Sequence, residues 1–132
     1  MTIDRAILIV SDDETLWELL NYMVQKAGFK TERAGTAREG VSKARMLRPE
    51  LILLGLKAHG SYETLRELQT DDAVDIPIVL LPDRHLDQAT LELVKQETNV
   101  KAVIQAPIDA QALTALLAII LNARAPGKKR TP

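Results

Sequence analysis

The sequence predicts an α/β fold in which a parallel sheet is covered by helices on both faces. Three observations carry that reading. Short aliphatic runs recur along the chain, separated by stretches of helical periodicity. Runs such as AILIV (6–10) and LILL (51–54) are continuous rather than alternating, as in strands buried on both faces. The strand–helix unit recurs five times in 132 residues, a length suited to one hydrophobic core.

The elements follow in order. Residues 6–10 read as a strand. Residues 15–27 carry Leu16, Leu19, Leu20, Met23, Val24 and Ala27 as a helical stripe, stopped by Gly28. FKTERA (29–34) alternates weakly and reads as an edge strand. Thr36 and Glu39 form a capping box that opens a helix to about Leu47, with Val41, Ala44 and Leu47 inward and Pro49 ending it. Residues 51–54 are the third strand, and 62–69 a short helix. IPIVLL (76–81) is the fourth strand, with Pro77 at its start, where a missing N–H is tolerated. Residues 87–97 read as a helix and AVIQ (102–105) as the fifth strand. Asp109 caps a last helix that ends near Asn122. The expected organisation is one domain over 1–123, followed by a polar, basic tail or linker over 124–132.

Composition narrows the function classes. The chain is 46% hydrophobic and 27% charged, with Lys+Arg 17 against Asp+Glu 18, so no overall basic balance points to nucleic acid. It has no cysteine, which excludes disulfides, thiolate catalysis and Cys-ligated metal. Its aromatics, Trp17, Tyr22, Phe29 and Tyr62, are too few for a base-stacking platform. The N-terminus does not read as a signal peptide and no apolar run reaches membrane-spanning length, so a cytoplasmic protein is expected. Neither a glycine-rich phosphate loop nor a dinucleotide fingerprint is present.

In doubly wound sheets ligands bind outside the carboxyl ends of the strands. Here those ends are SDDE (11–14) and GLK (55–57). The acidic run Asp12, Asp13, Glu14 reads as favourable charge at a helix start or as a metal site, with Asp12 and Asp13 as its candidate ligands. His59 and His85 read as solvated loop residues, without a second histidine or a serine at ligand or catalytic spacing. Arg124, Lys128, Lys129 and Arg130 read as a solvated tail rather than an anion-binding patch.

Together the stretches ILIVSDDETLWELL, KAGFKTERAGTAREG, RPELILLGL, IPIVLL and the AP before the last helix resemble the receiver domain of response regulators, the CheY-like, flavodoxin-like domain of two-component signalling and phosphorelays. The resemblance spans roughly residues 3–123. It implies strand order 2-1-3-4-5, with helices 1 and 5 on one face and 2, 3 and 4 on the other. It also implies phosphoryl transfer from a partner histidine to an aspartate, assisted by Mg²⁺. The family's acidic pair falls on Ser11 and Asp12, with Asp13 adjacent. Its phosphoacceptor falls on Gly55, its hydroxyl switch residue on Pro82, its aromatic switch on Val103 and its lysine on Ala106. Among these positions the acidic residue Asp12 and the following Pro107 match the family pattern. A glycine offers no nucleophile, and one carboxylate in register is a poor Mg²⁺ site.

The expectation is therefore a pseudo-receiver: not an enzyme, with Mg²⁺ binding lost or weak, acting through protein–protein contact. Lys57 is the candidate cation substitute, its ammonium standing near Asp12 or Asp13 in the metal's place. The alternative is a regulated receiver that binds Mg²⁺ weakly through Asp12 and Asp13. A more distant one is a small phosphatase-like enzyme with Asp12 as nucleophile. The resemblance also implies a cis bond at Ala106–Pro107.

The last helix, AQALTALLAIILNA (110–123), carries no charge. Leu113, Leu116, Leu117 and Ile120 form its expected core stripe. Ala112, Ala115, Ile119 and Leu121 are left as an expected interface for a protein partner or a second copy, with an output domain possible in a longer chain. Trp17, off the stripe of the first helix, is a weaker interface candidate.

Overall fold

Ile7, Leu8, Ile9 and Val10 are all fully buried, which only a strand covered on both faces can achieve. They lie in β1 (Ala6–Ser11), followed by α1 (Glu14–Lys26), β2 (Lys30–Ala34), α2 (Ala37–Leu47), β3 (Leu51–Gly55), α3 (Ala58–Leu68), β4 (Ile78–Leu80), α4 (Gln88–Lys95), β5 (Val100–Val103) and α5 (Ala110–Arg124). The computed structural model describes residues 6–56, 58–68, 75–82, 88–97, 99–105 and 108–124. The strands form one five-stranded parallel sheet in the order β2-β1-β3-β4-β5, the expected doubly wound, flavodoxin-like topology.

Strand parity divides the core in two. Leu8, Val10, Ile52, Leu54, Ile78 and Leu80 pack with Val41 and Ala44 of α2, Leu65 and Leu68 of α3, and Leu91 and Val94 of α4. Ile7, Ile9, Leu51, Leu53 and Val79 pack with Leu20, Met23 and Val24 of α1 and Leu113, Leu117 and Leu121 of α5. Full burial of each large aliphatic side chain contributes about 1.5–3 kcal/mol before entropy is counted.

Local chemistry sets the helix ends. Asp13 caps α1, its carboxylate accepting the Leu16 N–H at 3.1 Å. Thr36 caps α2, accepting the Glu39 N–H at 3.1 Å, while Glu39 reaches back to the Gly35 N–H at 2.8 Å. Gly28 follows α1 at φ 99, and Arg48 closes α2 in the left-handed region at φ 50. Pro49 comes next and prevents continuation.

Several expectations need correction. Leu19 (40% exposed) and Leu47 (42% exposed) lie on the helix surfaces and not in the core. At 100° per residue, two steps of three carry Leu47 about 120° away from Val41. Leu121 is 2% exposed and belongs to the core, so it forms no outer surface of α5. The buried line runs Leu113, Leu117, Leu121, with Leu116 and Ile120 half-buried beside it. An uncharged helix gives no polar edge from which to place that line. α3 starts at Ala58, four residues ahead of the expected start, and so includes His59, which is a helix residue and not a loop residue. β5 begins at Val100, since Ile78 pairs with Val100 and Val79 with Ala102 across a register shift. The ladder still reaches Ile104, whose N–H donates to the Leu80 carbonyl at 2.9 Å.

Candidate functional site

The carboxyl ends of β1, β3 and β4 lie side by side. The β1–β3 register places Ser11 next to Gly55. Parity turns both toward α1, on the side where Leu81 packs. Leu81 extends the row, its N–H donating to the Leu54 carbonyl at 2.8 Å. The row Ser11, Gly55, Leu81 is the floor of the candidate site, and the first turn of α1 is its roof.

Each predicted residue has a definite place there. Ser11 is fully buried and bonded within its own loop: its Oγ accepts the Asp13 N–H at 3.1 Å and donates to the Asp13 carbonyl at 3.2 Å. Asp12 is exposed. Asp13 serves as the cap of α1, as the reading of favourable charge at a helix start requires. Gly55 is buried, and a Cβ built on it would lie 2.9 Å from Leu16 Cδ2. Pro82 is half-buried beyond Leu81. Val103 is half-buried and packs against the α2–α3–α4 side of the core. Lys57, Ala106, Pro107, His85 and the tail from 125 onward lie outside the described residues, as do the side chains of His59 and Arg124. The Lys57 substitution and the cis bond therefore fall there too.

Reasoning from sequence missed two features. The first is Leu16, read only as a core position, which stands over Gly55; the glycine itself was the available signal. The second is a cluster beside the site. Arg33 on β2 pairs with Glu14 at 2.6 Å, and its guanidinium lies 4.4 Å from the centre of the Trp17 ring. Trp17 is half-buried against the α1–α5 side of the core, and its indole N–H is buried without a partner. The Arg33–Glu14 pair is solvated and contributes below about 1 kcal/mol. The cation–π contact adds on the order of 0.5–1 kcal/mol. Both tie α1 to β2.

Glu39 is held below the usual carboxylate range, chiefly by the Gly35 N–H and secondarily by the charge of Lys43, with burial opposing. The family resemblance implies Mg²⁺, and the described residues do not fit it. Magnesium wants near-octahedral oxygen ligands with one or two carboxylates. Ser11 is engaged by backbone, Asp13 by the helix start, and Leu16 Cδ2 stands over the neighbouring Gly55, which leaves Asp12 as the carboxylate free of the helix cap. Among the described residues no three His, Asp or Glu side chains gather as a metal cluster would. No helix there is long and apolar enough to cross a membrane.

Comparison with known proteins agrees with the fold. No family model matches the chain. It is 37% identical over 82 residues to the DNA-binding response regulator MtrA of Mycolicibacterium smegmatis, covering 61% of this chain and 35% of that protein. The chain thus spans about a third of the length of such relatives. It is 25% identical over 118 residues to Protein PilH of Pseudomonas aeruginosa, covering 87% of this chain and 96% of that one. A CheY-like response regulator receiver domain from Methanospirillum hungatei superposes with a TM-score of 0.82 at 19% identity, over 95% of this chain and 99% of its own. The chain has the fold of the CheY-like receiver domains and is similar in sequence to response regulators of two-component signalling.

Proposed function

We propose that this chain is a degenerate receiver that signals by protein–protein contact and is not phosphorylated on its sheet. One observation carries the reading: the residue at the carboxyl end of β3, beside Ser11 in register, is Gly55. An acyl phosphate needs a carboxylate, and a glycine supplies none. The losses at Pro82 and Ala106 point the same way, since neither has the hydroxyl or ammonium that would meet a transferred phosphoryl group. The partner surface is the outer face of α5, where Ala112, Ala115 and Ile119 are exposed. It would receive a protein partner or a second copy, and in a longer chain an output domain.

The direct test is incubation with acetyl phosphate and Mg²⁺ followed by intact mass. No phosphoryl adduct is expected on the wild-type chain. A gain of one phosphoryl group would overturn the proposal in favour of a regulated receiver using Asp12 and Asp13. Mg²⁺ alone is expected to leave the melting temperature unchanged. A site filled at 100 times its dissociation constant would add about 2.7 kcal/mol.

A further inference from the structure

We infer that Leu16 occupies the space a side chain at position 55 would need, so that the corner between Ser11, Gly55 and Leu81 is filled by an apolar side chain. This rests on reading Gly55 as the acceptor position. A Cβ on Gly55 would stand 2.9 Å from Leu16 Cδ2 and 3.7 Å from both the Cβ and the carbonyl oxygen of Leu81. Favourable carbon–carbon contacts begin near about 3.5 Å. No side chain therefore fits at 55 until Leu16 moves.

The backbone of Gly55 does not itself call for glycine. It is a regular strand residue paired with Ser11, and the described glycine with a positive φ is Gly28. The crowding comes from a neighbour, the terminal methyl of Leu16. Leu16 is held from two directions: its N–H donates to Asp13 Oδ1 at 3.1 Å, and its side chain packs on the layer that includes Ile9, Leu20, Leu53 and Leu81. The Asp13 cap that starts α1 thus also aims the plug. A carboxylate or hydrated cation pressed into this corner would shed water against the methyl groups of Leu16.

A thermodynamic cycle tests the plug, using the whole chain with Gly55→Ala, Leu16→Ala and the pair, followed by thermal unfolding. With Leu16 present, Gly55→Ala is expected to lower the melting temperature by about 3 °C. With alanine at 16 the same change is expected to raise it by about 2 °C, because the space is free and a strand glycine is entropically costly. Leu16→Met provides a second background that keeps the apolar volume but bends more easily, and there the penalty of Gly55→Ala should shrink to near zero. Equal effects of Gly55→Ala in all backgrounds would overturn the plug. That result would leave the absence of phosphorylation standing. Conversely, a phosphorylated wild type would overturn the proposed function while the coupling between 16 and 55 could still be measured.

Discussion

Two residues, one at each end of α2, make a prediction each. Arg48 closes α2 at φ 50, its N–H donating to the Ala44 carbonyl at 3.1 Å. A side chain in the left-handed region costs about 1 kcal/mol that glycine avoids. The Arg48–Asp75 contact, 3.4 Å and solvent-exposed, contributes below about 1 kcal/mol. Arg48→Gly is expected to raise stability by about 0.5 kcal/mol in chemical denaturation. Glu39 is the second case. Its folded carboxyl is depressed by the Gly35 N–H first and by Lys43 next. A depressed folded value means the stabilisation is full above the ordinary carboxylate range and is lost as pH falls through the folded value. Glu39→Gln should therefore be less stable than wild type at neutral pH, with the difference closing in acid. A difference that stays constant with pH would show that the charge of Glu39 is not what stabilises the turn.

At the scale of elements, glycine allows close approach at a second place, between α2 and β1. A Cβ on Gly40 would meet Val10 Cγ1 at 2.9 Å and Cγ2 at 3.1 Å. Val10 is fully buried and β-branched, so it cannot turn aside as an unbranched side chain would. Overpacking of this kind costs about 1–3 kcal/mol and outweighs the helix propensity gained. Gly40→Ala is expected to lose about 1 kcal/mol net, and Val10→Ala in the same chain to remove the conflict, as read by the denaturation midpoint. The same comparison explains what was legible in advance. Strands came through because continuous aliphatic runs mark double-sided burial, and Asp13, Thr36 and Gly28 mark helix ends by their own chemistry. Gly40 was not legible, because its reason lies in a residue thirty positions earlier. The same holds for Leu16 over Gly55: the glycine could be read from the sequence, its neighbour only from packing. Leu121 was misassigned because α5 has no charged edge to orient it.

For the molecule as a whole, the open question of association turns on α5. Its buried line through Leu113, Leu117 and Leu121 faces the sheet, which leaves Ala112, Ala115, Ala118 and Ile119 outside, with Ile119 66% exposed. A helix of 15 residues is about 22 Å long. Its outer strip covers a few hundred Å², whereas a stable dimer buries about 800 Å² on each partner. α5 alone is thus too small for tight pairing. Small side chains do allow close approach, and residues 110–123 carry no charge to oppose it. The expected result is weak, concentration-dependent association. Light scattering after size exclusion should give a mass near the 14.6 kDa of one chain when dilute and rising with concentration. Ile119→Lys places a charge on that strip, one that would have to be desolvated on pairing, and should hold the mass at one chain throughout. A wild-type mass that never rises would remove self-association and leave α5 to a different protein. A variant that still associates would move the contact to another face.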